Sequence, residues 1–245
     1  TNTLPAVLTQ STATAATAEN IVGTWRSNFT GRGESTEKGS YSTEEEETYI
    51  LNSESSYIKY NKKKCTSKTD ASTIWYENSA EKGTYSLNGS VITWTKTHFI
   101  PNKETLFDPL TIAETEWSTT TNIRVESIAL IDGKLCPNAY SRESEGTGLA
   151  GTWIKTSSSS YNPPAVDYYK YEFIISEKNL TQNSYRSDTG TFDDLDDTDV
   201  FEYSLPGNNI LNLLYNGQLL EAAPVLFSDE WMAIGAYNIY TKVTP

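Results

Sequence analysis

The sequence predicts an all-β fold, arranged as two small antiparallel β-barrels in tandem, and three observations predict it. Thr, Ser, Tyr, Val and Ile are abundant, with 16 Tyr and 6 Trp among 245 residues, and β-branched and aromatic side chains suit a pleated, half-buried surface. Turn residues interrupt the short apolar runs about every ten positions, with no convincing helical spacing between them. The chain also repeats itself: Ile21-Val22-Gly23-Thr24-Trp25 returns as Leu149-Ala150-Gly151-Thr152-Trp153.

Taken in order, residues 1–20 are rich in Thr, Ala and Ser and hold no aromatic residue, too little apolar surface to order themselves, and read as a disordered tether. The first domain is expected over residues 21–145. Its strand signals fall at 47–51, 56–60 and 72–77, followed by a hairpin at Asn88-Gly89. With those two residues as the turn, Leu87 opposes Ser90, Tyr85 opposes Ile92 and Gly83 opposes Trp94. Tyr85, Leu87, Ile92 and Trp94 then share an apolar face, backed by a Thr-rich one. Asp132-Gly133 forms a second turn and groups Ile128, Leu130 and Leu135.

The polar stretch 144–148 reads as the joint between domains, and the second domain is expected over 148–245. Strand signals there fall at 169–175 and 232–240, and an Asn216-Gly217 turn groups Leu211, Leu213, Leu220 and Ala222. The order of landmarks matches the first half. Tyr85-Ser86-Leu87-Asn88-Gly89 is echoed by Tyr203-Ser204-Leu205-Pro206-Gly207, and Ala139-Tyr140-Ser141-Arg142 by Ile239-Tyr240-Thr241-Lys242. Many short hairpin-linked strands make a sandwich or a meandering barrel, and closure removes exposed strand edges.

A Gly-x-Trp on the first strand of a small β-meander, with a basic residue on the last, resembles the lipocalin signature, here present twice. The resemblance is to the short lipocalin-like domains of bacterial envelope proteins, many of them lipoproteins. It implies that Trp25 and Trp153 close the barrel ends, with Gly23 and Gly151 beside them and a basic side chain over each ring, Arg142 in the first half and Lys242 in the second. A guanidinium over an indole gains about 0.5–2 kcal/mol of cation–π attraction, and Lys does this less well. The Thr-Asp-Tyr motif of larger lipocalins is absent, and the second half is short for a roomy eight-stranded barrel.

A formal net charge of −13 opposes binding to phosphate backbones and anionic lipid surfaces. The basic cluster Lys62, Lys63 and Lys64 and the acidic run 44–47 read as solvated charges of loops or strand ends. No run of about 20 apolar residues suited to a membrane helix occurs. Cys65 and Cys136 form a disulfide in an oxidising compartment or remain two buried thiols. Zinc sites usually take more ligands at closer spacing. The lone His98 has no nucleophile motif around it. The cluster Asp193, Asp194, Asp196, Asp197 and Asp199 offers oxygen ligands but lacks the glycine and downstream glutamate of an EF-hand loop, so no metal and no cofactor are expected.

The functional expectation is a non-enzymatic, extracytoplasmic protein of the cell envelope, in the periplasm or on the outer surface. A lipid anchor upstream of residue 1 fits the opening segment, whereas the Asn-x-Ser/Thr sequons at Asn28, Asn88 and Asn179 fit a secreted eukaryotic protein as well. Its partner is a small hydrophobic or amphipathic molecule held inside a barrel. Tyr85, Trp94 and Trp117 in the first half, and Tyr203, Leu213 and Trp231 in the second, are the expected lining, or else the filling of a solid core. The alternative is a surface interaction protein, an adhesin or inhibitor, whose solid barrels carry protein-binding loops, residues 97–121 first among them.

Overall fold

Apolar and polar side chains alternate along most of the chain, and such segments bury one face only by pairing edge to edge and curling. The computed structural model describes residues 8–144, 148–161 and 163–244. The first strands are β1 (Ala13–Thr14), β2 (Gly23–Ser35), β3 (Gly39–Leu51), β4 (Ser56–Ser67), β5 (Ile74–Asn88), β6 (Val91–Lys103), β7 (Ser118–Ile131), β8 (Lys134–Pro137) and β9 (Tyr140–Arg142). There follow β10 (Gly151–Tyr161), β11 (Asp167–Ile175), β12 (Asn179–Ser187), β13 (Asp197–Gly207), β14 (Ile210–Tyr215), β15 (Gln218–Phe227), β16 (Trp231–Ile234) and β17 (Thr241–Lys242). Two 3-10 turns, Glu114–Glu116 and Ala236–Asn238, are the helical elements among the described residues.

From β9 to β16 each strand pairs antiparallel with the next, β9 with β10 through Arg142–Trp153 and Ser141–Ile154. β16 then returns to β9 through Trp231–Ser141 and Met232–Tyr140, which completes a closed eight-stranded antiparallel barrel. β2 to β8 form a second continuous meander. Its two outer strands are joined by the end of the chain: Tyr240 exchanges two backbone hydrogen bonds with Leu135 on β8, while β17 pairs with β2 through Lys242–Trp25.

The two closing segments are therefore exchanged. β9, in the first half of the sequence, completes the ring of the second, and β17 at the far end joins the strands of the first. Arg142 lies over Trp153 at 4.1 Å from the ring centroid, and Lys242 over Trp25 at 5.2 Å. The expected partnership of Arg142 with Trp25 and Lys242 with Trp153 is thus corrected, and pairing crosses the expected boundary at 145–148. The glycines carry the same signature. Gly23 and Gly151 have φ of 134° and 129°, and a Cβ would stand 2.8 Å from Lys242 Cε at the first and 3.1 Å from Arg142 Nη1 at the second. Each indole donates to the carbonyl four residues before it, Ile21 at 2.7 Å and Leu149 at 2.9 Å.

One core cluster fills the β2–β8 meander around Trp25, Leu51, Tyr57, Ile92, Trp94 and Tyr240, and another lies among β9–β16 around Tyr140, Trp153, Phe173, Leu180 and Leu211. Between them Ala129, Ile131, Cys136, Ala139, Leu226 and Ala233 form an apolar seam. β7 adds hydrogen bonds there, pairing with β6 on one side and with Ser157–Tyr161 of β10 on the other.

Residues 8–20, expected within a disordered tether, are docked. Ala13 and Thr14 pair with Ile131 and Leu130, Ser11 N–H donates to Phe227 O at 2.7 Å, Ala16 is buried and Leu8 packs on the second core. Small side chains let this segment lie close against the seam, where its backbone finds hydrogen-bond partners and Gln10 Nε2 donates to Asp229 Oδ1 at 2.8 Å. Residues 1–7 of the expected tether lie outside the described residues.

Two registers differ from expectation. The first hairpin turns on Gly89-Ser90, with Gly89 at φ 59°, so Tyr85 opposes Trp94 and Leu87 opposes Ile92. That shift is of two residues and leaves the shared face intact. In β15 the register slips between the Leu214–Leu219 and Leu213–Glu221 pairs. This one-residue bulge turns Leu220 and Ala222 outward, while Ala223 and Val225 join Leu211 in the core. The Asp132-Gly133 turn forms as expected, and Ile128, Leu130 and Leu135 meet in the first core. The charge runs lie within strands, where Glu44, Glu45 and Glu46 oppose Lys64, Lys63 and Lys62 across β3 and β4.

Candidate functional site

The inward face of the first meander changes character along each strand. Stepping by two on β3 passes from Leu51 to Tyr49 to Glu47, on β4 from Tyr57 to Lys59, and on β7 from Ile128 to Glu126 to Arg124. β5 adds Glu81 and β6 adds Lys96 beyond Trp94. Register brings these residues together, for Tyr49 opposes Lys59, Lys59 opposes Glu81, and Trp94 opposes Arg124. Three carboxylates and three cations therefore lie directly on the aromatic floor of the meander.

Each charge has a partner. Lys59 Nζ stands 3.0 Å from Glu47 Oε1, Lys96 Nζ 3.2 Å from Glu81 Oε2, and Arg124 Nε 3.4 Å from Glu126 Oε2. Aromatic donors complete the network: Trp94 Nε1 donates to Glu126 Oε1 at 2.7 Å, Tyr57 OH to Glu81 Oε1 at 3.3 Å, and Tyr240 OH to Glu47. Arg124 Nη2 donates to Tyr49 OH at 3.3 Å.

The electrostatics fix these charges. Burial works against the Glu81 carboxylate, yet Lys59, Lys96 and Arg124 hold its pKa below the ordinary value. Burial likewise opposes the Lys59 ammonium, but Tyr49 and Glu47 raise it above normal. Arg124 is held up against burial by Glu126 and Tyr49. Burial raises Tyr49, Tyr57 and Tyr240. The shifts push acids and bases further apart, which suits the network to present fixed charges rather than to shuttle protons at neutral pH.

Two recesses flank the Glu47–Lys59 pair. One of about 240 Å³ is bordered by Arg124, Glu126, Asn138, Tyr237 and Tyr240, and one of about 370 Å³ by Asn61, Glu81, Lys96, Phe99 and Ile100. The smaller recess sits where the exchanged connections meet, since Pro137-Asn138 leads from β8 to β9 and Tyr237-Asn238 leads to Tyr240 and β17. Two buried side-chain oxygens without hydrogen-bond partners belong to residues that border the recesses, Asn138 Oδ1 at the smaller and Asn61 Oδ1 at the larger.

Of the expected lining residues, Tyr85 and Trp94 are buried together in the first core, 6.0 Å between centroids, as floor rather than cavity wall. Trp117 is elsewhere, packed with Tyr60, Ala80 and Ile100 under the segment holding Phe107 and Ile112. Lys82 lies 4.4 Å over its ring. Tyr203 and Leu213 pack against the second core, and Trp231 against the seam. Cys65 and Cys136 are free, buried thiols rather than a disulfide, one on β4 and the other on β8 in the seam. His98 Nδ1 contacts Thr97 Oγ1 at 2.9 Å. The aspartates 193–199 are exposed, and no three metal-ligating side chains converge among the described residues.

The six charged residues of the network were missed because the sequence reading followed the inward face only as far as its aromatic residues. One step of two residues beyond Tyr49, Tyr57 and Trp94 reaches Glu47, Lys59 and Lys96, and the same alternation on β5 and β7 reaches Glu81, Glu126 and Arg124. Compared with known proteins, the chain matches no family model, no curated protein and no solved structure.

Proposed function

We propose that the chain is a non-enzymatic binding protein with two lipocalin-like barrels in tandem, and that it holds a small amphipathic molecule at the charged mouth of the first. The single observation that carries the binding reading is the paired charge layer over an aromatic floor, with a recess on either side of Glu47–Lys59. Ligand sites combine apolar walls with a few placed polar groups, and both recesses lie at the charged end of the packed floor. This favours an amphipathic over a purely apolar ligand. The tandem reading is supported by the repeated Gly-x-Trp, the repeated indole-to-carbonyl bond and the cation over each ring. Placement in the cell envelope rests on the resemblance alone.

The test is native mass spectrometry of the purified chain with organic extraction, joined to displacement of a fluorescent fatty-acid probe while Trp emission is followed. Saturable binding that alters Trp emission and weakens in Lys96→Ala is expected. Absence of both an extractable ligand and saturable binding overturns the reading.

One observation favours the interaction-protein alternative. A cleft of about 770 Å³ between β2 and β15 is lined by Phe29, Leu219, Leu220 and Tyr237, of which the last three are about half exposed. On that reading Leu220→Asp abolishes partner capture and leaves probe binding unchanged.

A further inference from the structure

We infer that the cleft between β2 and β15 is an open strand position, which takes an extended segment of another polypeptide, neutral or basic and with apolar side chains at alternate positions. This deepens the interaction-protein alternative and rests on the tandem correspondence of the two halves. Residues 122–126 of β7 pair directly with residues 157–161 of β10. Aligning Trp25 with Trp153 makes residues 29–33 of β2 the counterparts of the second segment. Aligning the Leu130–Leu135 and Phe227–Met232 pairs makes residues 219–223 of β15 the counterparts of the first. Among the described residues these two segments are not paired with each other, and they wall the cleft of about 770 Å³ instead. From Met232 to Tyr240 the chain is longer by three residues than from Leu135 to Tyr140, and the excess is the turn Ala236–Asn238. Ser27 Oγ donates to Ala236 O, and the Tyr237 ring meets Phe29 edge-on at 6.2 Å, so this turn is wedged at the cleft and keeps the edges apart.

Both edges present backbone groups. Val243 N–H donates to Thr24 O at 2.8 Å, which places Thr24 on the outer edge of β2. Alternation puts the N–H and C=O of Asn28, Thr30 and Arg32 on that same edge, where among the described residues no strand pairs beyond Trp25 and Arg26. Gly235 N–H donates to Pro224 O at 2.9 Å, which puts Ala222 on the cleft edge of β15, outside its pairing with β16. A five-residue strand, with a rise of about 3.3 Å per residue, a spacing of about 4.8 Å and a thickness of about 10 Å, fills about 800 Å³. The cleft has room for one. It continues the interface between the two halves, so an added strand completes that interface and covers both edges. Leu219, Leu220 and Tyr237, half exposed on its border, favour apolar side chains in the occupant. A net charge of −13 on each copy opposes a second copy as donor and selects a different chain, neutral or basic.

Selection of a random heptapeptide library displayed on phage against the full chain tests this, followed by calorimetry and hydrogen exchange with the synthetic winners. Enriched peptides are expected to alternate apolar residues and to protect the amides of Asn28, Thr30 and Arg32. N-methylation at alternate positions is expected to weaken them about tenfold or more. In the chain itself, Thr30→Pro removes an N–H that the β2–β3 ladder does not use, a position where edge strands accept proline, and is expected to abolish binding with the melting temperature unchanged. Peptides that tolerate N-methylation, or leave those amides unprotected, overturn strand addition; if they are still lost in Leu220→Asp, the interaction reading stands. If no sequence is enriched, both fall. Sedimentation of the chain alone is expected to show a monomer, and a dimer that Thr30→Pro dissolves assigns the cleft to a second copy and overturns the separate donor.

Discussion

Exchange of the closing strands makes a prediction that an unexchanged pair of barrels cannot share: truncating Arg142 will loosen the half of the molecule to which it does not belong in sequence. Arg142 donates from Nε to Asp229 O at 2.8 Å, from Nη1 to Ala150 O at 2.9 Å and from Nη2 to Gly148 O, and its guanidinium covers the Trp153 ring. Hydrogen bonds from charged groups contribute about 1.5–3 kcal/mol each when buried, but water reaches this side chain and recovers part of that. With about 1 kcal/mol of cation–π attraction, Arg142→Ala is expected to cost about 3 kcal/mol. Lys242 makes only the longer contact with Trp25 and lies on Gly23, so Lys242→Ala costs about 0.5–1 kcal/mol. Urea unfolding gives the totals and peptide-resolved hydrogen exchange gives their location. Arg142→Ala will speed exchange in β10 and β16 and spare β2 and β3, while Lys242→Ala will do so in β2 and β8. Faster exchange around Trp25 in Arg142→Ala, with β10 unaffected, would refute the exchanged closure.

Three other outcomes follow from single groups. Burial pushes the Cys136 thiol up to about 12 and raises Cys65 too, so at pH 8 the folded chain will resist a thiol reagent, denaturation will release two thiols, and reductant will not move the melting temperature; a reductant-sensitive transition contradicts this. Lys155 lies over the Tyr140 and Tyr171 rings at 4.6 and 5.0 Å, and burial lowers its pKa from 10.5 to about 8. Between those values the unfolded chain binds the proton that the folded chain has lost, so stability rises with pH by at most about 3 kcal/mol; Lys155→Met will be more stable than the parent at pH 7 and will lack that rise, and an unchanged slope sinks the assignment. Lys59→Met strands Glu47 in a half-dry network and is expected to cost about 3 kcal/mol, of which Glu47→Gln in the same chain restores a large part; strictly additive losses would show that the pair is not coupled.

Much of the fold could be read from the residues, because face and repeat survive errors of register. Tyr85, Leu87, Ile92 and Trp94 stay on one face although the turn moves to Gly89-Ser90, since a slip of two residues preserves alternation. The bulge in β15 does not preserve it, and nothing in the run Leu219-Leu220-Glu221-Ala222 says which residue is extra. Docking of residues 8–20 was hidden because backbone bonds to β7 and Phe227 supply much of it, with only Leu8 and Ala16 adding apolar contact to the cores. The exchange was hidden for another reason: Tyr-Ser-Arg and Tyr-Thr-Lys each satisfy either tryptophan, so chemistry cannot assign them. Connection length can. Only residues 143–150 separate β9 from β10, and strands so close in sequence usually pair. Once β9 is paired there, β17 is the remaining strand that matches the gap between β8 and β2.

That order of assembly also explains where the candidate site lies. A meander that closed on its own next strand would carry β8 straight on to β2, and the residues after Pro137 would belong to its own mouth. Here the chain leaves the first meander at Pro137-Asn138, and the far end returns through Tyr237-Asn238, so two segments distant in sequence meet over Arg124 and Glu47. The smaller recess is the space between them. A ligand there touches both connections and both parts of the chain, and so binds only the closed, exchanged form. By linkage it stabilises that form by about 2.7 kcal/mol at a hundred times its dissociation constant. Since the contacts it adds join β7 to the segments entering β9 and β17, that stabilisation acts at the closing strands. Protection from exchange on ligand addition is therefore expected at β8, β9 and β17 ahead of β12 and β13, which line no part of the recess.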